Sequence, residues 1–153
     1  SNTPPRYLRE VTRPELSRGA QRSDRSEETP LMVSALTATG ETLEDVRAER
    51  ERLRELLAFL YSTPAYWRSL DLFGWTDRGE QLRALTRESR WADMPAVLTD
   101  EMLDTVVPAA PYSEIASVLR ERYAGISSWL TFPTPADPAS DAACRKAIEA
   151  LKS

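Results

Sequence analysis

The sequence predicts an α/β fold that is mostly helical, with two parallel strands and a helical insertion between them. The strands are predicted from two short runs without charged side chains, "LMVSALTAT" (residues 31–39) and "ISSWLTF" (residues 126–132). The segments between these runs carry helical spacing and helix-capping signals. A strand–helix–strand order favours parallel pairing through a right-handed crossover. We expect the insertion to occupy residues 62–107, with residues 1–153 forming a single domain.

The elements before the insertion are one helix, one strand and one long helix. Helical spacing predicts a helix over residues 7–21, and a polar loop follows it. After the first strand, "TLED" places Thr42 and Asp45 in a capping-box pattern that opens the long helix. The acidic and basic residues of "EDVRAERERLRE" alternate at a spacing typical of a solvated helix face with i,i+4 ion pairs.

Five further helices are predicted from residue types that begin and end helices. Glycine is favoured just after a helix, and Ser or Thr just before one. Predicted N-caps are Thr63, Thr76, Thr99, Ser113 and Ser140, and predicted ends are Gly74 and Gly125.

Composition limits the function classes. A formal net charge of -4 disfavours a nucleic-acid surface. No apolar run approaches the ~20 residues that span a membrane. No secretory leader pattern is visible, so we expect a cytoplasmic location with neither a nucleic-acid nor a membrane partner.

The residue types for several kinds of catalysis are missing. The chain has no histidine, which excludes Ser–His and Cys–His pairs and most zinc sites. Its single cysteine, Cys144, excludes an internal disulfide and a cysteine-based metal site, and we expect no metal. The five glycines are isolated from one another, so no glycine-rich phosphate loop is present.

Half of the twelve aromatic residues lie within residues 56–82. Tyr66 and Phe73 share a face of the predicted short helix, and Phe59 is expected to meet them from the preceding helix. Packing of the helical insertion is one interpretation of this density, and a ligand pocket is the other. Trp67 and Trp75 are the candidates for a substrate pocket because they fall off the apolar stripe.

Two strands alone do not make a stable parallel sheet, because buried strands need neighbours on both sides. The sequence therefore indicates part of a larger sheet, or strands that pair with another chain. The second possibility defines an alternative function, a non-catalytic helical interaction module that pairs its strands with a partner or a second copy.

Several segments resemble the C-terminal part of the luciferase-like monooxygenases, in particular the branch that uses the deazaflavin coenzyme F420. They are "PPRYLREVTRPELSRGA", "FLYSTPAYWRSLDLFGW", "RWADMPAVLTDEMLDTVV" and "SEIASVLRERYAG". Where many family members have Gly-x-Pro-Glu-Glu, this chain has "AAPYSE", with Ala110 and Tyr112 at the glycine and proline positions.

The resemblance implies the C-terminal portion of a (β/α)8 TIM-type barrel, with residues 31–39 and 126–132 as its seventh and eighth strands. In such barrels the active site lies at the C-terminal ends of the strands. The candidate cofactor-binding residues at these ends are Thr37, Thr39, Thr131, Phe132 and Thr134.

The resemblance also implies hydride transfer on a small-molecule substrate in the full-length enzyme, with F420, or alternatively FMN, as cofactor. No residue of the chain is singled out as catalytic. We expect the chain alone to be inactive and to bind neither cofactor well, because two strand ends form only part of a barrel rim. The missing barrel half or a second copy is the expected partner.

Overall fold

The computed structural model describes residues 3–24, 30–135 and 137–152. Within this part of the chain, helices surround a two-stranded parallel sheet. The α-helices are α1 (Pro5–Tyr7), α2 (Arg13–Arg22), α3 (Leu43–Tyr61), α4 (Trp67–Asp71), α5 (Thr76–Arg87), α6 (Asp100–Val106), α7 (Ile115–Tyr123) and α8 (Asp141–Lys152). A π-helical turn, Leu8–Thr12, joins α1 to α2, and 3-10 turns cover Pro64–Tyr66, Trp91–Asp93, Pro95–Val97 and Pro138–Ser140. None of these helices combines the length and the apolar character needed to cross a membrane.

The two predicted strands are adjacent and parallel, which confirms the predicted pairing. Strand β1 is Met32–Ser34 and β2 is Trp129–Thr131, in a register that places Val33 opposite Leu130. Both strands are shorter than the predicted runs. Ile126 still belongs to the turn after α7, where its N–H bonds to the carbonyl of Tyr123, and the chain after β1 changes its neighbour. The backbone of Ala38 bonds to the segment 108–110 instead, with N–O distances of 2.9 and 3.1 Å.

Helix α3 begins at a capping box, as predicted. Thr42 Oγ1 accepts a 3.1 Å hydrogen bond from the Asp45 backbone N–H, and Asp45 Oδ2 accepts one of 2.9 Å from the Thr42 backbone N–H. Gly40 is required just before this turn, since a Cβ at that position would lie 2.3 Å from Asp45 Cβ. The capping box thus fixes how the chain turns from the sheet into α3.

The helical insertion packs against α3 to form one buried cluster. Its members include Leu53, Leu57 and Tyr61 of α3, together with Leu70 and Leu82 from the insertion, each with at most 1% of its surface exposed. Burying apolar side chains of this size is the main stabilising contribution available to the insertion.

A second buried cluster holds α7 and α8 against one face of the sheet. Val33, Ile115, Leu119 and Ala147 belong to it. Because side chains alternate along a strand, the residues on either side of Val33 point to the opposite face.

Arginine side chains connect neighbouring elements through carbonyl groups at helix ends. Arg13 Nε donates a 3.0 Å hydrogen bond to the carbonyl of Ile126, just beyond α7. Arg122 Nη1 donates one of 3.2 Å to the carbonyl of Thr105 near the end of α6. These carbonyls lack helical partners and carry partial negative charge, so a guanidinium is a favourable partner for them.

Two aromatic residues do not pack as expected: Phe59 pairs with Trp91, and Phe73 stacks on Trp75 and is not a member of the insertion core. Phe59 is 55% exposed and does not join the insertion core. Tyr66, Trp67 and Phe73 are all half-buried, and Trp67 packs against the buried cluster, whereas Phe73 stacks on Trp75. For the short helix the cause is local: it begins as a 3-10 turn, so its own side chains shift away from the 3.6-residue spacing used in the prediction.

Candidate functional site

A cavity of about 700 Å³ lies at the C-terminal edge of the sheet. Its walls come from the segment after β1, the first half of α3, the side chain of Tyr112 and the segment after β2. Three of the five predicted cofactor-binding residues, Thr37, Thr39 and Thr134, line it. Because β1 and β2 are parallel, the chain leaves both strands at the same edge, which brings these threonines together.

Thr39 carries an unpaired polar atom at this cavity. Its Oγ1 is buried and has no hydrogen-bond partner. The hydroxyl of Thr37 differs, since it donates a 3.2 Å hydrogen bond to the carbonyl of Ala35. Buried hydroxyls are nearly always paired, so an unpaired one at a cavity wall is a candidate ligand contact.

Tyr112, which also lines the cavity, carries a neutral phenol hydroxyl. Its backbone N–H donates a 2.8 Å hydrogen bond to the carbonyl of Gly40, which fixes it beside the start of α3. Burial raises the pKa of Tyr112, and Cys144 and the acidic side chains of Glu41 and Asp45 act in the same direction. The phenol therefore stays protonated at neutral pH and can donate or accept a hydrogen bond.

The outer wall of the cavity is acidic. Glu41, Asp45 and Glu49 line it from the α3 side, and Asp137 lines it from the segment after β2. Arg52 also lines it, but its guanidinium is bound to Glu49 by hydrogen bonds of 2.7 and 2.5 Å. The inner wall is thus neutral and hydrogen-bonding, and the outer wall carries negative charge.

The other predicted site residues lie elsewhere. Thr131 is exposed on β2 opposite Ser34, and the ring of Phe132 packs toward α7 and α8. Neither lines the cavity at the sheet edge. Trp67 and Trp75 pack against the insertion core and do not line this cavity either. No group of three or more acidic or cysteine side chains suited to a metal ion occurs in the described ranges.

Sequence reasoning missed Tyr112 and the acidic wall. Asp45, Glu49 and Arg52 are spaced i, i+4, i+7, which places them on one side of α3. Their alternating charges indicate a solvated helix face, and the same spacing is the signal that these three side chains can share one wall of a cavity. Tyr112 was noticed only as the residue at the family's proline position.

The architecture is that of a parallel α/β protein with a cavity at the strand ends, where ligands of this class bind. A family model described as luciferase-like monooxygenase matches residues 1–127. The chain belongs to this family, which confirms the resemblance at the family level. The matched region contains β1 and the helical insertion and ends just before β2.

Relatives among curated proteins come from mycobacteria. Uncharacterized proteins of Mycobacterium bovis (strain ATCC BAA-935 / AF2122/97) and of Mycobacterium tuberculosis strains CDC 1551 and H37Rv are each 35% identical to this chain over 122 residues. The aligned region is 79% of this chain and 36% of each relative. The chain thus spans about a third of the length of the curated relatives that it matches.

The two walls of the cavity differ in how they fit the cofactors that the family resemblance implies. The unpaired Oγ1 of Thr39 and the phenol of Tyr112 fit the uncharged, hydrogen-bonding parts of a flavin or deazaflavin. The acidic outer wall does not fit a phosphate group, because like charges repel and the one arginine there is already paired. A phosphate would therefore need cationic groups outside this wall.

Proposed function

We propose that this chain forms part of a luciferase-like oxidoreductase that depends on F420 or on FMN. In the full-length protein the cofactor would supply the hydride chemistry, and the chain's own residues would bind and orient it. The observation that supports this most is the convergence of Thr37, Thr39 and Thr134 on one cavity, with Thr39 Oγ1 buried and unpaired.

The proposal gives each wall of the cavity a role. Thr39 would hydrogen-bond an uncharged polar atom of the cofactor or substrate, and Tyr112 would offer a second neutral contact. The acidic wall would face a neutral part of the ligand rather than its phosphate. As in other barrels, further contacts would come from strands beyond β1 and β2, so the partner of this chain would be the remaining barrel strands.

Cofactor titration tests the proposal. F420 and FMN are titrated separately against the 153-residue chain and against the protein at its native length, with fluorescence as the readout. We expect binding only at native length, because a cofactor must be enclosed on most sides to bind well. Thr39→Val should weaken that binding by about tenfold, the equivalent of one well-made hydrogen bond. Thr105→Val is the matched control, because the Thr105 hydroxyl bonds within α6 to the carbonyl of Glu101.

Two outcomes would contradict the proposal. One is a native-length protein that binds neither cofactor. The other is a Thr39→Val variant that binds as tightly as the Thr105→Val control.

A second candidate function is supported by the other face of the sheet. Met32 and Trp129 are register partners on β1 and β2, and they are 69% and 67% exposed. Two adjacent apolar side chains so exposed favour a face that another chain covers. The alternative is therefore a non-catalytic module whose strands pair with a partner or a second copy. Light scattering and the cofactor titration together distinguish the oxidoreductase from the module. The module would be favoured if the 153-residue chain forms a stable dimer, if Trp129→Ser dissociates that dimer, and if the native-length protein binds no cofactor.

A further inference from the structure

A groove of about 500 Å³ lies on the surface between α3 and the turn that follows α5, away from the sheet-edge cavity. It is lined by Glu55, Phe59, Trp91, Ala92, Met94 and Pro95. Glu55 and Phe59 are four residues apart on α3, so they share one helix face. Trp91 faces them from the turn, and its ring centroid lies 6.3 Å from that of Phe59.

Both rings of this groove are unusually exposed for their size. Phe59 is 55% exposed and Trp91 is 50% exposed, whereas the tyrosine at the end of the same helix, Tyr61, is 1% exposed. The two described cation–π contacts elsewhere involve Phe73 and Trp67. Among the described residues, no cation lies over the faces of Phe59 and Trp91.

Glu55 adds a carboxylate that no described side chain binds. In the described part of the chain its carboxylate forms neither a hydrogen bond nor an ion pair, and it is exposed. The nearby acids are already paired: Glu51 accepts from Arg54, and Asp93 accepts a 2.7 Å hydrogen bond from Arg90. A purely apolar occupant would remove water from the Glu55 carboxylate without giving it a hydrogen-bond partner, which costs hydration free energy.

We propose that this groove binds an arginine side chain presented by a segment of a partner polypeptide. The aliphatic stem of arginine packs on apolar surface, and its planar guanidinium stacks on aromatic rings and bonds a carboxylate in bidentate fashion. Phe59 and Trp91 supply the rings, and Glu55 supplies the carboxylate. The groove is larger than one guanidinium, so residues flanking the arginine would rest on Met94 and Pro95. This site is independent of the cofactor cavity.

The probe is the acetylated tetrapeptide amide Ala-Leu-Arg-Ala, titrated against the ¹⁵N-labelled 153-residue chain. The readouts are the indole N–H resonance of Trp91 and the amide resonance of Ala92. We expect saturable shifts with the arginine peptide. The same peptide with citrulline, which is uncharged but similar in shape, should bind about two- to fivefold more weakly.

Variants assign the effect to the groove. Glu55→Gln should weaken binding of the arginine peptide by about two- to fivefold, and Phe59→Ala should weaken it further. Glu80→Gln is the matched control, since Glu80 is an exposed helical glutamate outside the groove. Circular dichroism of each variant checks that the fold is retained.

Three results would overturn the proposal. The first is the absence of saturable shifts up to about 10 mM peptide, a concentration well above the millimolar affinity of a weak contact. The second is equal binding of the citrulline peptide, or unchanged binding by Glu55→Gln. The third is a concentration-dependent dimer, seen by sedimentation, that Glu55→Gln dissociates, because it would assign the groove to a second copy of this chain.

Discussion

The indole Nε1–H of Trp67 donates a 2.9 Å hydrogen bond to the backbone carbonyl of Tyr61, the residue that ends α3. Carbonyls in the last turn of a helix lack helical partners, so this bond satisfies one of them. The same indole lies against Gly79 of α5: a Cβ built on Gly79 would be 2.6 Å from Nε1. Trp67 therefore joins α3, α4 and α5, and this contact accounts for its position without a ligand.

Gly79→Ala should lower the free energy of unfolding by about 1–3 kcal/mol, because the added methyl group overpacks the contact with Trp67. Alanine normally favours a helix over glycine, so the expected sign is opposite to that of helix propensity. Gly19→Ala in α2 is the control: a Cβ there meets nothing within 4 Å, and we expect a gain of about 0.5–1 kcal/mol. Urea denaturation measures the free energy of unfolding of both variants. If Gly79→Ala stabilises the protein as much as Gly19→Ala does, the close contact between Gly79 and Trp67 is absent.

Thr39→Val should raise the free energy of unfolding of the 153-residue chain by about 1 kcal/mol. Replacing a buried, unpaired hydroxyl with a methyl group of similar shape removes a desolvation cost. Thr37→Val should instead be neutral or destabilising, because the Thr37 hydroxyl is hydrogen-bonded. Thermal and urea denaturation are the measurements. Thr39→Val can then be compared in two assays, stability of the 153-residue chain and cofactor binding at native length. If it raises stability and weakens binding, Thr39 serves binding at the expense of stability.

Phe73→Ala should cost less than the about 3–5 kcal/mol expected for a fully buried phenylalanine. Phe73 is half-buried and stacks on Trp75 at a centroid distance of 4.7 Å, with the guanidinium of Arg6 5.5 Å from its ring centroid. We expect a loss of about 1–2 kcal/mol, whereas Leu70→Ala, at a 1% exposed position, should cost about 2–5 kcal/mol. Equal losses in urea denaturation would show that Phe73 is a core residue after all.

Stability should fall with acidification through three carboxylates. A hydrogen bond from Arg54 lowers the pKa of Asp100 below its ordinary value of 3.8, and Arg50 adds to the effect. A hydrogen bond from Arg54 likewise lowers the pKa of Glu51 below 4.5, and one from the Thr42 hydroxyl lowers the pKa of Asp45 below 3.8.

The sign of this dependence follows from the lowered pKa values. Each group binds protons more readily in the unfolded chain, so its contribution is complete above its unfolded pKa and is lost as pH falls through its folded pKa. Urea denaturation from about pH 6 to about pH 3, a range that includes the ordinary carboxylate pKa of about 4, measures the loss. Asp100→Asn should reduce the slope below about pH 4, and Thr105→Val on the same helix, which removes no carboxylate, should leave the slope unchanged.

Several elements were predictable because their signals are local. The capping box of Thr42 and Asp45 acts within four residues, and so does the hydrogen bond from the Met102 N–H to Thr99 Oγ1 that begins α6. Gly74 and Gly125 have φ values of +74° and +69°, which glycine adopts without strain at helix ends.

Two predicted caps were wrong because other groups compete for the same positions. The hydroxyl of Thr76 bonds to the carboxylate of Asp71, and α5 already includes Thr76. Before α7, a turn closed by a 2.9 Å bond from the Glu114 N–H to the carbonyl of Pro111 moves the helix start past Ser113. Helix α8 begins at Asp141, directly after Ser140 as predicted, and a 3-10 turn that contains Ser140 precedes it, begun by a 2.9 Å bond from the Ala139 N–H to Asp137.

By itself the sequence determined the family, the parallel pairing of the two strands, and the edge of the sheet where Thr37, Thr39 and Thr134 lie. These follow from charge-free runs, local caps and family motifs, which depend on residues close together along the chain. Only the tertiary structure decided that Tyr112 and the acids of α3 share a cavity with these threonines. It also decided that Trp67 supports α3 while Phe59 and Trp91 meet at the surface. The cavity and the contact between Phe59 and Trp91 join residues far apart in sequence, and all of these contacts depend on how far each helix is rotated about its axis. A single 3-10 turn at Pro64–Tyr66 changes that rotation.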